Sequence, residues 1–241
     1  MPQELGQMPS AAFESQAAPE PQNALAPQTV PEPLVWPQSV VTVVGNPRPG
    51  SRTAAAAASV AELLASELGT PYRIDELIDL VTFAPAIFRG DQSSKAERTG
   101  EAEQTGEAQR AAEVERAALE NAVDLVSSAS VIVIATPVYK GSYTGLVKSF
   151  LDILRPQALA GAVVIPVTVS AAPSHKLLAD QHLRPILAEL GATTPVPGVI
   201  LEEHDLEDLQ VVLATWIRTN ATIIQSTTIA LQPVPEPTPT H

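Results

Sequence analysis

The stretch that decides the fold is residues 40–68, which read VVTVVGNPRPGSRTAAAAASVAELLASEL. Its first part, Val40–Val44, is a short β-branched run of the kind found in buried strands. The part from Thr53 to Leu68 is rich in alanine and carries its larger apolar residues at helical spacing. A glycine- and proline-rich loop, Gly45–Thr53, joins the two. A strand, a loop and a helix in this order predict the first unit of a parallel sheet.

The same alternation continues along the chain. Four further strands are predicted at Tyr72–Ile74, Val131–Ile134, Ala162–Val169 and Val199–Leu201. Helices are predicted around 114–129, at Leu146–Leu154, at His175–Leu190 with an interruption or restart at Pro185, and from Leu206 to about Gln225. Five strands alternating with helices predict an α/β fold, a doubly wound and mostly parallel sheet in three α/β/α layers. In such sheets, ligands bind in the crevice beyond the carboxyl ends of the strands.

The composition divides the chain into one domain and two tails. Residues 1–37 are rich in Pro, Gln and Ala and contain no Lys or Arg, which predicts a disordered tail. The domain is predicted at 38–228, with a Pro-rich C-terminal tail at 229–241. A polar insertion at about 90–108, where RTGEAE and QTGEAQ nearly repeat each other, is interpreted as an expanded loop. Solvated spacers are favoured over partner-binding segments for all three.

Charge and composition exclude several classes of function. A net charge of −13 disfavours nucleic acid and anionic membranes as partners. The chain has no Cys, and its four His residues lack metal-ligand spacing, so no metal site is expected. It shows neither a signal peptide nor about 18 consecutive apolar residues, so we expect a cytoplasmic protein. A hydrolase with a G-x-S-x-G nucleophile elbow is also excluded.

The first loop, GNPRPGSRT, is suited to hold an anion. Gly45 and Gly50 allow close approach of the backbone, and the following helix places about half a positive charge at its N-terminus. The loop's hydroxyl and guanidinium groups are those of Ser51, Thr53, Arg48 and Arg52. A phosphate monoester fits this set, whereas Ser51 stands where a triphosphate-binding loop requires Lys. The alternative is a tight turn in which Ser51 and Thr53 only cap the helix.

The second loop, TPVYKGSYTG at residues 136–145, follows the predicted strand at Val131–Ile134. A Thr-Pro-x-Tyr turn offers a flat apolar edge and free backbone N–H groups. These features suit an aromatic heterocycle with polar atoms on its rim. The alternative is a turn in which Tyr139 and Tyr143 are simply packed.

The two motifs GNPRPGSRT and ATPVYKGSYTGLVKSFLDIL together resemble the NADPH-dependent FMN reductase family, over roughly residues 39–225. The resemblance is strongest to the flavin reductases of two-component monooxygenase systems. It implies a flavodoxin-like fold that binds FMN and NADPH or NADH. In the family the first loop wraps the FMN phosphate, which falls here on Arg48, Ser51, Arg52 and Thr53. The isoalloxazine ring lies along the segment that matches Pro137, Val138, Tyr139, Lys140 and Gly141.

A third loop, from Thr168 to His175, is expected to approach the pyrimidine end of the flavin through Ser170, Ala171 and Ala172. Many members of the family carry one or two Gly residues in this turn, and this chain departs from them. For His175 and His182 a capping or surface position is favoured over proton transfer.

The resemblance implies that NAD(P)H delivers a hydride to FMN, so no side chain is expected to act as a catalytic nucleophile or base. Reduced flavin would then serve a partner monooxygenase. A homodimer or homotetramer is expected, formed through the helices that flank the flavin, with Tyr143 and Leu146–Leu154 as candidates. Three alternatives remain open. They are an FMN-bound quinone, azo-compound or chromate reductase, a non-catalytic flavin-binding electron carrier, and an interaction protein that has lost its flavin.

Overall fold

The structure, a computed structural model, describes residues 38–99 and 106–232. The predicted N-terminal tail, 1–37, lies outside the described residues, as do 233–241 of the predicted C-terminal tail and 100–105 of the predicted insertion.

Five parallel strands form one sheet in the order β2-β1-β3-β4-β5. Their bounds are Gln38–Val44 for β1, Tyr72–Asp79 for β2, Val131–Pro137 for β3, Val163–Ser170 for β4 and Val199–Glu202 for β5. Every neighbouring pair of strands is parallel. The strand order reverses between β1 and β3, which is the flavodoxin-like arrangement with its switch point at that gap. The fold predicted from the sequence is therefore confirmed.

Helices cover both faces of the sheet. Their bounds are Arg52–Leu68 for α1, Leu80–Thr99 for α2, Gly106–Ser128 for α3, Gly145–Ile153 for α4, Leu178–Glu189 for α5 and Leu209–Ala230 for α6. Single 3-10 turns lie at Pro173–His175 and Glu203–Leu206. Helices α1 and α6 contribute to the core on one face, and α2, α3, α4 and α5 contribute to the core on the other.

The central strands are buried on both faces, which explains why their sequences are mostly apolar. In β1, Val40 and Val44 join the core beneath α1 and α6, whereas Val41 and Val43 join the opposite core. Successive strand residues point to opposite faces, so a strand with helices above and below needs apolar residues at every position. This burial fixes the carboxyl ends of the strands, and the loops that follow them, in place.

Strand β2 runs five residues beyond the predicted Ile74, to Asp79. Its register against β1 shifts between the pairs Val40–Ile74 and Thr42–Leu77, so β2 holds one extra residue there. Such a bulge breaks the two-residue alternation that sequence patterns rely on.

Three helices, α2, α3 and α5, depart from the sequence-based expectation. No helix was predicted at Leu80–Thr99, where α2 contains Pro85 in its interior. The structure places residues up to Thr99 and from Gly106 onward in helices, where an expanded polar loop was expected. Helix α5 begins at Leu178, after the 3-10 turn, rather than at His175 and runs through Pro185.

Candidate functional site

A cavity of about 460 Å³ opens at the carboxyl ends of β1, β3 and β4, at the switch point of the sheet. Its walls come from the three loops that follow these strands and from one residue after β5. The lining residues are Asn46, Arg48, Pro49, Gly50, Ser51, Arg52, Thr53, Pro137, Val138, Tyr139, Val169, Ala171 and Glu203.

The first loop is organised by Asn46, a buried residue that the sequence analysis did not select. Its side-chain amide donates a hydrogen bond to the hydroxyl oxygen of Thr53 at 3.1 Å. Its side-chain oxygen accepts the backbone N–H of Arg48 at 3.0 Å, which closes an Asx turn. The Asn-Pro pair at 46–47 is the sequence signal that could have indicated this turn.

Ser51 is the N-cap of α1, and its hydroxyl oxygen accepts the backbone N–H of Ala54 at 3.2 Å. Among the hydrogen bonds of the described residues, the backbone N–H groups of Ser51, Arg52 and Thr53 have no partner. Unpaired N–H groups at a helix N-terminus, together with the helix dipole, form an anion-binding cradle. Gly50 precedes the cradle with φ of 59°, a left-handed conformation that suits glycine.

Two arginines, Arg48 and Arg52, line the cavity beside this cradle and differ in their ion pairing. The Arg52 guanidinium donates from Nη2 to the Oε1 atom of Glu203 at 2.7 Å. The Arg48 side chain is exposed, and within the described part of the chain it forms no ion pair. The cavity lining therefore contains Arg52 paired with the carboxylate of Glu203, together with Arg48, which has no ion-pair partner among the described residues.

Asp79, at the end of β2, lies behind the first loop. Burial raises the pKa of its carboxyl group, and hydrogen bonds from the backbone N–H groups of Val81 and Gly50 offset part of that rise. The contact to Gly50 connects the end of β2 to the loop that lines the cavity.

The second loop is a tight hairpin. Tyr139 and Ser142 exchange backbone hydrogen bonds of 2.8 and 3.1 Å across Lys140 and Gly141, whose φ angles are 52° and 77°. Two consecutive positive φ values define a type I′ turn. Tyr139, 43% exposed, lines the cavity, whereas Lys140 and Gly141 do not.

The N–H groups at the start of this loop are not free, contrary to the expectation from the sequence. The N–H of Val138 donates to the carbonyl of Val169 at 2.9 Å, and that of Tyr139 donates to Ser142. These bonds align Pro137, Val138 and Tyr139 as an apolar wall of the cavity. The wall offers side-chain surface rather than hydrogen-bond donors.

Two contacts fix the second loop to its surroundings. The backbone N–H of Thr144 donates to the hydroxyl of Thr136 at 3.2 Å, beneath the hairpin. The Ser142 hydroxyl lies 3.0 Å from Nδ1 of His182 on α5. Of the two histidines considered for the site, His182 holds the hairpin and His175 is exposed in the 3-10 turn, and neither lines the cavity.

In the third loop, the buried hydroxyl of Ser170 donates to the carbonyl of Ala172 at 2.9 Å and accepts its N–H at 3.2 Å. Ala171 is thereby turned into the cavity, and Ser170 and Ala172 do not line it. The structure thus brings together Arg48, Ser51, Arg52, Thr53, Pro137, Val138, Tyr139 and Ala171. It leaves Lys140, Gly141, Ser170 and Ala172 outside the lining. The lining residues that were not predicted are Asn46, Pro49, Gly50, Val169 and Glu203.

Over residues 38–99 and 106–232, no helix combines the length and the apolarity that crossing a membrane requires. Over the same residues, His, Asp and Glu form no cluster of three that could hold a metal ion.

The strand order and the cavity together define a class of protein. It is a doubly wound α/β protein with a cavity at the switch point of its sheet, lined by the N-terminus of a helix and by an apolar segment.

Comparison with known proteins identifies the family within that class. The profile of the family described as NADPH-dependent FMN reductase matches residues 39–206. A solved structure, the apo form of the NADH:FMN oxidoreductase EMOB, superposes with a TM-score of 0.62 at 28% identity, covering 82% of this chain and 92% of that one. This chain belongs to the NADPH-dependent FMN reductase family.

Curated relatives carry matching names. The chain is 34% identical over 90 residues to the FMN reductase (NADPH) of Escherichia coli strain K12, covering 37% of this chain and 47% of that protein. It is 33% identical over 93 residues to the NADH-dependent FMN reductase SfnE of Pseudomonas putida, covering 39% and 50%. The chain spans about half the length of the curated relatives it matches.

Proposed function

We propose that the protein is an NAD(P)H-dependent FMN reductase that binds FMN in the cavity at the switch point. The observation that carries this proposal is that the unpaired N–H groups at the start of α1 and the apolar wall of Pro137–Tyr139 line one cavity. A phosphorylated aromatic ligand needs both features at once. The cavity volume, about 460 Å³, is in the range of small-molecule sites.

The phosphate end of FMN fits the hydroxyl groups of the first loop. The Ser51 hydroxyl oxygen already accepts the Ala54 N–H, and that of Thr53 already accepts from Asn46. A hydroxyl that accepts one bond still has its proton to donate, so both side chains can donate to a phosphate oxygen. Together with the backbone N–H groups and the Arg48 guanidinium, they supply charge-assisted hydrogen bonds to a dianion.

The ring end fits the apolar wall. Pro137, Val138 and the half-exposed Tyr139 offer a flat surface, and Ala171 adds a small side chain to the lining. FMN bound in this cavity would supply the hydride chemistry with NAD(P)H. The residues of the chain bind the phosphate, orient the ring and exclude water from one of its faces. None of them has to act as acid or base.

We further propose that the reduced flavin serves a partner monooxygenase and that the protein forms a homodimer or homotetramer. The exposure of Tyr139 at the cavity mouth supports exchange of the flavin with solvent or with a partner. Helix α4 follows the second loop directly and exposes Ile153, which makes it a candidate contact between copies.

The test uses the full chain, with FMN and riboflavin binding measured by fluorescence quenching. Oxidation of NADPH and of NADH is then followed with free FMN, and with a quinone as alternative acceptor. We expect FMN binding and turnover with at least one nucleotide. Absence of turnover with both nucleotides across flavin and quinone acceptors would contradict the proposal.

A substitution in the first loop separates binding of the FMN phosphate from binding of the flavin ring. Arg48→Gln should weaken FMN binding about tenfold or more, because a charge-assisted hydrogen bond contributes about 1.5–3 kcal/mol, and should leave riboflavin binding unchanged. Arg155→Gln removes an exposed arginine outside the cavity lining and is the matched control. Equal effects of the two variants would show that the first loop does not hold the phosphate.

A further inference from the structure

The ion pair between Arg52 and Glu203 joins two walls of the cavity. Nη2 of Arg52, the first residue of α1, lies 2.7 Å from Oε1 of Glu203, in the 3-10 turn after β5. Both residues line the cavity. The Arg52 guanidinium beside the anion cradle is therefore already paired with a carboxylate, that of Glu203.

The position of Glu203 is fixed by its neighbours. Glu202 and Asp205 form a capping box around the turn, in which the backbone N–H of Glu202 donates to the Asp205 carboxylate at 2.7 Å. The Glu202 carboxylate also accepts from Nζ of Lys176 at 2.6 Å. These contacts of Glu202 and Asp205 fix the backbone of the turn that contains Glu203, whose own carboxylate pairs with Arg52.

We propose that Glu203 sets the affinity of the site for the phosphate group of its ligand, by competing for Arg52 and by repelling the phosphate dianion. This rests on the proposed function, in which a flavin phosphate occupies the cradle. A site tuned in this way holds a phosphorylated flavin weakly enough to exchange it. Glu203 is thus a specificity-determining residue that acts on the phosphate and not on the ring.

The proposal predicts a response that a structural role would not give. Without the carboxylate, Arg52 becomes available to the phosphate and the repulsion is removed, so phosphate-bearing ligands should bind more tightly. Riboflavin, which has the same ring and no phosphate, should bind as before. The free energy of unfolding should change little, because both side chains of the pair are largely exposed, at 65% and 46%.

The experiment compares Glu203→Gln with Glu207→Gln. Glu207 is exposed in the same segment, does not line the cavity and forms no ion pair within the described residues, so its replacement removes the same charge without touching the site. FMN and riboflavin affinities are measured by fluorescence quenching at one ionic strength. Thermal melting of the flavin-free protein is measured in inorganic phosphate and in chloride.

We expect Glu203→Gln to bind FMN about three- to tenfold more tightly than the parent, with riboflavin unchanged. The melting temperature of the flavin-free variant should also rise more steeply with inorganic phosphate. Glu207→Gln should match the parent in every measurement. Arg52→Gln should weaken FMN binding and reduce the gain that Glu203→Gln produces.

Three outcomes would overturn the inference. They are an unchanged or weaker FMN affinity in Glu203→Gln, an equal gain for riboflavin, and an equal gain in Glu207→Gln. The proposed function fails separately, if the parent binds no FMN. The phosphate-dependent melting of the flavin-free variants still tests the role of Glu203 in that event.

Discussion

The side-chain hydroxyl of Thr144 donates a hydrogen bond to the carbonyl oxygen of Gly45 at 2.5 Å. The same hydroxyl accepts the backbone N–H of Val147 at 3.3 Å, as the N-cap of α4. Gly45 begins the first loop and Thr144 ends the second. The Thr144 side chain therefore links the first loop to the end of the second, in addition to the backbone bond from Gly45 N–H to the Ala135 carbonyl at 2.8 Å.

Replacing Thr144 tests this connection. Thr144→Val keeps the shape but leaves the buried Gly45 carbonyl without its donor and α4 without its cap, so we expect a loss of about 1–3 kcal/mol in the free energy of unfolding. Thr144→Ser keeps the hydroxyl and should lose less than half as much. Urea denaturation of both variants measures the difference, and equal losses would show that the hydroxyl does not carry the effect.

Gly45 is required by packing and not by its backbone angles. A Cβ atom built at Gly45 would lie 1.9 Å from Cγ2 of Val147. We expect Gly45→Ala to destabilise the fold by about 1–3 kcal/mol through overpacking. Val147→Ala removes the clashing methyl group, so the double variant should be more stable than the sum of the two single losses predicts. Strict additivity in thermal or urea unfolding would contradict this contact.

Ser51 has two predicted roles, capping helix α1 and binding the FMN phosphate, and substitutions can separate them. Ser51→Ala removes the N-cap of α1 and should reduce the free energy of unfolding by about 0.5–2 kcal/mol. Ser51→Asp keeps a capping oxygen but places a negative charge in the cradle. It should retain the parent's stability while FMN affinity falls about 100-fold, since two charge-assisted hydrogen bonds would be lost. If Ser51→Asp binds FMN like the parent, the phosphate does not lie at this residue.

Asp79 should make stability depend on pH in a defined direction. Burial raises its pKa, so the folded state binds the Asp79 proton more tightly than the unfolded chain does. The free energy of unfolding therefore falls as pH rises from the ordinary aspartate pKa through the raised pKa of the folded state. Asp79→Asn carries no charge at any pH and should be more stable than the parent at pH 7, by less than about 1 kcal/mol because solvent screens the group.

The stability gain of Asp79→Asn should disappear below about pH 4, where the parent's carboxyl is also neutral. Asp124→Asn, an exposed substitution on α3, is the control. Melting temperatures at pH 7 and pH 3.5 decide the question. A difference between Asp79→Asn and the parent that is the same at both values would contradict the assignment.

The sequence predicted best those strands and helices whose burial on the sheet gives a regular apolar pattern in the local sequence. Val131–Ile134 is apolar at each position because β3 is covered on both faces, so the pattern alone identified it. Strand β2 was recognised only as far as Ile74, because its extra residue breaks the alternation there. Helix α2 was not predicted from the sequence. It contains Pro85, and an internal proline usually indicates a break in a helix, although this fold tolerates it.

For the candidate site, the sequence predicted the loops better than the contacts within them. The anion-binding composition of GNPRPGSRT was visible, whereas the hydrogen bonds of Asn46 depend on how the loop closes on itself. Glu203 was not selected from the sequence as a site residue. Its contact with Arg52, 151 residues away in the sequence, exists only because β1 and β5 end at the same edge of the sheet.

The bulge in β2 has a consequence for self-association. Strand β2 forms one edge of the five-stranded sheet and exposes Ile74 and Leu77, which would favour the addition of a sixth strand from another molecule. The extra residue between them, with the charged Asp75 and Glu76, distorts the hydrogen-bonding template that such an addition needs. An irregularity of this kind opposes edge-to-edge pairing between molecules. It is the same register shift that breaks the sequence pattern of β2.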